Sequence, residues 1–367
     1  MRRIVSLRVL LMLLSAASGA IGPAILAAPR AHEVGSELPY PPESRPAPGD
    51  IVHVATGLAV SFEGMMDMVA GARLVCIGEM HDNLEAHRVQ LRILRELDDR
   101  FPGRIAIGME MFRHPQQEVL DRWSRGELGE PEFLEAVEWR RTWGMDFAYY
   151  RDILTFARDR RIDVIALNPS RELQDAVKRQ GLDALPEELR PQLPELGAPD
   201  PFQRELLLAV YRAHRPTGGD FETFFRVQRL WEESMAEHVV DYLRSARGAD
   251  KIMVTLTGGG HIEYGLGLPK NVIRRMPLPY VIIAPTEIEV PPGKRMPDVV
   301  QPEIPLLPAD FVWWVSYEDL KAVTWRPAAV TDDAGDTDGM AVASTAVSGA
   351  AIADRAAGGN AALPGTR

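Results

Sequence analysis

Residues 73–83 read Arg73-Leu74-Val75-Cys76-Ile77-Gly78-Glu79-Met80-His81-Asp82-Asn83. The first part is a short apolar run bounded by a glycine, which is typical of a strand that is buried on both faces. We therefore expect a strand over 73–78. The polar residues Glu79 and His81 then follow at the carboxyl end of that strand.

Four more runs have the same character, and helical patterns separate them. The other predicted strands are 104–109, 163–168, 251–257 and 280–284, and the predicted helices are 83–100, 147–160, 203–213 and 221–247. Apolar strands that alternate with helices predict an α/β fold, with a mostly parallel β-sheet flanked by helices. Because the stretch of about 172–250 is too long for one crossover, we expect a helical insertion or cap there.

The two ends of the chain differ in composition from this folded region. Residues 1–28 combine a positive start at Arg2 and Arg3, an apolar run and small residues, the pattern of a secretory signal peptide, although an uncleaved anchor has a similar pattern. Residues 29–50 form a Pro-rich linker, and residues 328–367 have the composition of a disordered tail. The sequence thus predicts one folded domain over 51–327 in a periplasmic or secreted protein.

Charge and cysteine content exclude several classes of protein. A net charge of −11 argues against a nucleic-acid partner, which would require a basic surface. One cysteine cannot form a disulfide scaffold, a four-cysteine zinc site or an iron–sulfur cluster. That cysteine, Cys76, is far from the predicted cleavage site, so the sequence also predicts no lipid anchor.

Ionisable residues follow three of the predicted strands. In parallel sheets the ligand binds beyond the carboxyl ends of the strands, and there the sequence places Glu79, His81, Glu110 and His261. Two histidines and two carboxylates could hold a divalent metal such as Mn, Co or Zn. Glu79 or Glu110 could instead act as a general base for metal-bound water. Helix capping and mutual pairing of these four side chains is a third interpretation.

Aromatic residues near the same strand ends allow another kind of ligand. A flat, apolar cofactor needs such a surface, and tyrosinate is an established ligand of haem iron. Tyr264, three residues after His261, is the first candidate. The sequence has no Gly-x-x-x-x-Gly-Lys loop, no Gly-x-Gly-x-x-Gly turn and no Gly-x-Ser-x-Gly elbow, which disfavours nucleotide binding and a serine hydrolase.

These stretches resemble the ChaN haem-uptake family, within the wider grouping of Tiki, TraB and erythromycin esterase-like proteins. The similarity covers roughly 70–285 and is carried by 77–83, 108–112 with Gln116 and Gln117, 143–150, 167–169 and 258–261. The resemblance implies iron acquisition by a homodimer that holds haem between its subunits. It also implies cofactor-binding residues among His81, His261, Tyr264 and Tyr150.

Two functions follow from this resemblance. We favour an exported haem-binding protein of haem or iron uptake, with the ligand at the carboxyl rim of the parallel sheet. The alternative is a metal-dependent hydrolase that acts on a small-molecule ligand, with Glu79, His81, Glu110 and His261 matching the metal-site pattern of the wider grouping.

Overall fold

The computed structural model describes residues 45–214, 220–289, 299–300 and 302–320. The predicted signal peptide over 1–28, most of the linker over 29–50 and the predicted tail over 328–367 lie outside these residues. Within the part of the chain that is described, no helix has both the length and the apolar character needed to cross a membrane.

An eight-stranded sheet forms the centre of the fold. Its strands are β1 (Ile51–His53), β2 (Leu58–Val60), β3 (Leu74–Glu79), β4 (Ile105–Arg113), β5 (Asp163–Asn168), β6 (Ile252–Gly258), β7 (Tyr280–Glu287) and β8 (Phe311–Val315). They lie in the order β2-β1-β8-β7-β3-β6-β4-β5. The six strands from β8 to β5 are parallel, and β1 and β2 add to β8 in antiparallel fashion. The predicted α/β fold with a mostly parallel sheet is confirmed.

The five strands predicted from the sequence all occur, but two of them are longer than predicted. β4 continues through Glu110 to Arg113, so Glu110 lies inside a strand and not after it. The pairing of β4 with β5 is irregular between Met109 and Arg113, which ends the regular ladder where the polar residues begin. The short strands β1, β2 and β8 were not predicted.

Ten α-helices lie within the described residues. They are α1 (Phe62–Val69), α2 (Leu84–Arg100), α3 (Gln117–Ser124), α4 (Glu130–Ala136), α5 (Trp139–Thr142), α6 (Arg151–Asp159), α7 (Arg171–Gln180), α8 (Pro201–His214), α9 (Phe221–Arg244) and α10 (Leu268–Arg275). The predicted helix over 147–160 is divided at Tyr150 into a short 3-10 turn and α6. The stretch of about 172–250 is occupied by α7, α8 and α9.

Side chains of the central strands alternate between two apolar layers. Val75 and Ile77 of β3 are fully buried in one layer together with residues of α2 and α6. Leu74 and Cys76 point to the opposite layer, where they pack with residues of α9 and α10. Each such side chain contributes about 1.5–3 kcal/mol when it is fully buried. Because helices cover both faces of the sheet, the ends of the strands are where a ligand can approach.

The longest helix, α9, is part of this layered core. Trp231, Met235 and Val239 recur at intervals of four residues and are buried against the sheet. The helix begins at Asp220, whose carboxylate accepts the backbone N–H of Thr223 at 2.7 Å. α9 therefore covers one face of the sheet and is part of the core, whereas the sequence predicted a helical insertion or cap in this stretch.

Candidate functional site

Three neighbouring strand ends form one polar rim. The sheet order places β3, β6 and β4 side by side, and Glu79 pairs in register with Gly258. Glu110 Oε2 accepts the backbone N–H of Gly258 at 2.7 Å. His261 ends the short 3-10 turn that follows β6. The rim predicted from the strand ends therefore exists, with Glu79 and Glu110 on either side of β6.

Glu79 is the centre of the first group of side chains at this rim. Its buried carboxylate accepts hydrogen bonds from His81 Nδ1 at 2.7 Å, Tyr150 OH at 2.8 Å and Gln90 Nε2 at 2.7 Å. His87 Nδ1 lies 3.6 Å from the same carboxylate, and His87 Nε2 is 3.1 Å from the carbonyl oxygen of His81. We call these five residues the Glu79 group.

Charges within the Glu79 group set the protonation of its members. Burial alone would raise the pKa of Glu79, but His87, His81 and Gln90 outweigh it and lower the pKa to about 2. Burial likewise favours a low pKa for His81, yet the hydrogen bond and charge of Glu79 raise the pKa above its usual value. Burial and the adjacent Glu79 carboxylate raise the pKa of Tyr150 well above 10, so its phenol stays protonated.

His261 is the centre of a second group, which also contains Glu110, Glu232 and Gln203. His261 Nε2 is 3.6 Å from Glu110 Oε1, and Nδ1 is 3.4 Å from Glu232 Oε1. Gln203 donates a hydrogen bond to the other oxygen of Glu232. We call these four residues the His261 group. It joins β4, α8, α9 and the turn after β6.

Two carboxylates decide the charge of His261. Burial alone would lower the pKa of His261, but Glu110 and Glu232 raise it to about 10. Burial alone would raise the pKa of Glu110, whereas the His261 charge lowers it, and burial raises the pKa of Glu232. Glu110 and Glu232 therefore favour the imidazolium form of His261, in which both ring nitrogens are hydrogen-bond donors.

A glycine keeps the His261 group compact. Gly267 has φ of +63°, which favours glycine, and a Cβ atom there would lie 2.6 Å from the carbonyl oxygen of His261 and 2.9 Å from Glu232 Cδ. Any side chain at this position would push α9 away from the turn that carries His261.

The two groups do not assemble into a divalent-metal site. In the described ranges, no set of three or more His, Cys, Asp or Glu side chains is arranged to hold a metal ion. Glu79 with His81 and Glu110 with His261 form separate pairs, although the charges of Glu110 and His261 act on His81. The interpretation with Mn, Co or Zn bound by all four residues thus gains no support from the geometry.

His81 has one nitrogen available for a ligand. The imidazole is only 8% exposed, and its Nδ1 faces Glu79, while Nε2 is buried without a hydrogen-bond partner. In the neutral imidazole, a carboxylate at Nδ1 keeps the proton on that nitrogen and leaves the lone pair on Nε2. The indole ring of Trp143 packs edge-on against this imidazole, with ring centroids 4.9 Å apart. An aromatic surface therefore adjoins the available nitrogen.

The structure brings some of the other candidate residues to the rim and separates one from it. Tyr150 belongs to the Glu79 group, as does His87 of α2. Asn168 Nδ2 donates to the carbonyl oxygen of Glu110 at 2.6 Å. Tyr264 packs instead in a separate small apolar cluster with Leu206 and Leu266. It adopts a left-handed backbone conformation with φ of 60°.

Sequence reasoning missed Gln90, Glu232 and Gln203. Gln90 lies on the same face of α2 as the buried residues Ala86 and Leu97. Glu232 occupies a comparable position in α9, four residues after the buried Gln228. A polar residue within the apolar stripe of an amphipathic helix is the signal that could have identified both side chains.

A segment after β8 fastens to the helix that carries His87. Asn83 caps α2 and donates from Nδ2 to the carbonyl oxygen of Ser316 at 3.1 Å. The Leu84 N–H donates to the carbonyl oxygen of Glu318 at 2.8 Å, and Leu320 N–H donates to Tyr149 OH at 3.1 Å. Residues 316–320, which we call the terminal strap, therefore hold the first turn of α2 in place.

Comparisons with known proteins bear on this fold and rim. The family described as haem-binding uptake, Tiki superfamily, ChaN matches residues 65–272. The structure of ChaN of Campylobacter jejuni, which shows cofacial haem binding, is similar with a TM-score of 0.56, at 17% identity over 72% of this chain and 95% of that one. An erythromycin esterase, EreC, gives a TM-score of 0.41 at 16% identity, over 68% of this chain and 77% of that one. No curated protein matches this sequence.

The fold and rim define an α/β protein with buried carboxylate–imidazole pairs at the carboxyl end of a mostly parallel sheet. The family match covers more than half of the chain, including β3, β4, β5 and β6 and both groups of the rim. The chain belongs to the ChaN haem-binding family of the Tiki superfamily. The resemblance noted from residues 77–83 and 258–261 is confirmed.

Proposed function

We propose that this chain binds haem and that His81 ligates the iron. The observation that carries this proposal is His81 Nε2, a buried ring nitrogen without a hydrogen-bond partner on an imidazole that Glu79 orients through Nδ1. Haem-ligating and metal-ligating histidines commonly have this arrangement. Membership of a haem-binding family supports the same ligand. When bound, haem supplies an iron centre and a flat apolar ring, which Trp143 could contact.

The remaining rim residues support His81 in this proposal. Glu79 fixes the orientation of the imidazole, and Gln90 and Tyr150 fix Glu79. Tyr150 supports Glu79 in this proposal and is not assigned as an iron ligand, because its phenol donates a hydrogen bond to Glu79. His261 lies between Glu110 and Glu232, which favour its protonated form, and in this proposal it balances the charge of Glu110.

The proposed location and cellular role rest on the composition of residues 1–50 and 328–367 and on the family match. We propose a protein that is exported to the periplasm or secreted through the signal-like residues 1–28, with a linker over 29–50, a domain over 51–327 and a tail over 328–367. Its function there would be haem or iron uptake as a homodimer, without a lipid anchor and without a nucleic-acid partner.

Haem titration tests this proposal. We expect haemin to produce a saturable Soret shift with the native protein, and His81→Ala to weaken binding by at least about tenfold, because the iron loses a ligand. His114→Ala provides the control, since His114 is exposed and lies outside both groups. A native protein without a saturable Soret shift would rule out haem as the ligand.

A hydrolase is the second candidate function, because the Glu79–His81 pair also suits general-base catalysis. A carboxylate at Nδ1 and a lone pair at Nε2 are what a histidine needs to take a proton from water. Release of nitrophenol from a panel of chromogenic esters measures this activity. A hydrolase would lose the activity in His81→Ala and keep it in His114→Ala and after treatment with a chelator. Equal rates in the native protein and His81→Ala would exclude this function.

A further inference from the structure

Two arginines lie beside the rim without a carboxylate partner. Arg113 is the last residue of β4 and is half-buried, and Arg171 is the exposed first residue of α7. Arg113 Nη1 donates to the carbonyl oxygen of Pro169 at 3.2 Å and to Gln174 Oε1 at 2.9 Å. Among the described residues, no acidic side chain forms an ion pair with either arginine. Asp175, one turn further along α7, is 4.0 Å from Arg179.

Such an arrangement is costly in the absence of a bound anion. A guanidinium that leaves water is normally paired with a carboxylate or phosphate, which its planar fork can bind through two hydrogen bonds. Both contacts of Arg113 are neutral oxygen atoms and use one nitrogen, so the rest of the fork has no acceptor among the described residues. Burial and the neighbouring charge of Arg171 lower the pKa of Arg113 to about 10, and the charge of Asp175 offsets only part of this shift. An anion between the two arginines would relieve both effects.

Contacts between side chains connect these arginines to the His261 group. Gln174 Oε1, which accepts from Arg113, also accepts the indole N–H of Trp231 at 3.1 Å. The Trp231 ring contacts the His261 ring, with centroids 6.0 Å apart. On the sheet itself, Arg113 pairs in register with Asn168, which bonds to the backbone of Glu110. The arginines therefore lie at the edge of the same rim and not at a distant surface.

We propose that Arg113 and Arg171 form an anion subsite of the rim, which binds a carboxylate group of the ligand. If the ligand is haem, as the proposed function on which this inference rests requires, the carboxylate is a propionate. His81 would then hold the iron, and Arg113 and Arg171 would hold the propionate. The positive N-terminus of α7, where Arg171 lies, adds to the attraction for an anion.

Comparison of haemin with its dimethyl ester tests the subsite, because the ester lacks the carboxylates and keeps the iron. Both compounds are titrated from the same detergent, and binding is measured from the Soret band. We expect the native protein to bind haemin about tenfold more tightly than the ester, which corresponds to one charge-assisted contact. Arg171→Gln should reduce haemin affinity toward that of the ester and leave the ester affinity unchanged.

Matched variants separate the subsite from a general effect of charge or folding. Arg171 is exposed and its side chain forms no hydrogen bond or ion pair within the described residues, so Arg171→Gln is expected to fold, and Arg171→Lys should retain most of the preference for haemin. Arg179→Gln removes a positive charge from the same helix and should leave the preference intact. Equal affinity of the native protein for both porphyrins, or a preference that Arg171→Gln leaves unchanged, would overturn the inference while the haem proposal stands.

A measurement without porphyrin distinguishes failure of the haem proposal from failure of the anion subsite. If the native protein binds neither haemin nor its ester, haem is not the ligand, and succinate is then titrated while the melting temperature is recorded. The subsite predicts a saturable rise in melting temperature for the native protein and Arg179→Gln, and a much smaller rise for Arg171→Gln. The same response in all three proteins would overturn the subsite as well.

Discussion

Glu79→Ala is expected to lower the free energy of unfolding by about 3–5 kcal/mol, the range observed when one partner of a buried ion pair is removed. The carboxylate is fully buried and is the acceptor for His81, Gln90 and Tyr150. Its removal leaves three polar groups without their acceptor and removes the carboxylate beside two buried imidazoles. Urea denaturation at neutral pH, followed by circular dichroism, measures the change through the transition midpoint.

Two further variants define the origin of this loss. Glu79→Gln retains an acceptor oxygen but removes the charge, so its effect should be smaller than that of Glu79→Ala. Glu85→Ala, at the start of α2, removes a carboxylate that pairs with Arg88 at the surface and should change stability by less than about 1 kcal/mol. A Glu79→Ala protein as stable as Glu85→Ala would show that the Glu79 group contributes little to the fold.

Alkaline pH is expected to destabilise the protein through His261. The pKa of His261 is about 10 in the folded protein and about 6.5 in an unfolded chain, so the folded state binds the proton more tightly. The resulting stability is fully present below pH 6.5 and is lost as the pH rises through 10. We expect the free energy of unfolding to fall by about 3 kcal/mol between pH 7 and pH 10.

Denaturation curves at several pH values, compared between variants, assign this dependence. His261→Gln should be less stable at pH 7 and should lose much less stability between pH 7 and pH 10. His114→Gln changes an exposed histidine and should follow the native curve. If the native protein and His261→Gln had parallel pH profiles, the imidazolium between Glu110 and Glu232 would not be the source of the effect.

At acidic pH, the loss of stability is expected to come from Glu79. Its folded pKa of about 2 is lower than that of an unfolded glutamate, so its contribution is present above about pH 4.5 and is lost as the pH falls through 2. Maximum stability is therefore expected between about pH 5 and pH 7, where both buried groups are correctly charged.

The parallel sheet and its rim were predictable because their signals are local. An apolar run that ends at a glycine indicates a buried strand, and the residue type after it shows what the strand end presents. The strands β3 and β6 follow this rule, and so do Glu79, His81 and His261. β1 and β2 are only three residues long and partly exposed, so they lack the apolar character on which the prediction depended.

The partners of the rim residues depend on tertiary packing, which the sequence does not show directly. Glu232 reaches His261 across 29 residues, and Tyr150 reaches Glu79 across 71. The same packing explains why the four predicted ligands form two pairs: Glu232 holds His261 from the side of α9, while Gln90 and Tyr150 hold Glu79 from the other layer. Tyr264 is adjacent to His261 in sequence, but its left-handed backbone turns it toward Leu206 and Leu266.

The position of β8 limits the order in which the strands can join the sheet. Among the described strands, β8 alone joins the early strand β1 to the parallel sheet. Because β8 begins at Phe311, β1 and β2 cannot join the parallel sheet until a strand near the end of the described chain has paired with β7. The terminal strap follows immediately and supplies the partners of Asn83 and Leu84. The first turn of α2, which follows His81, is thus held by the last residues of the described chain.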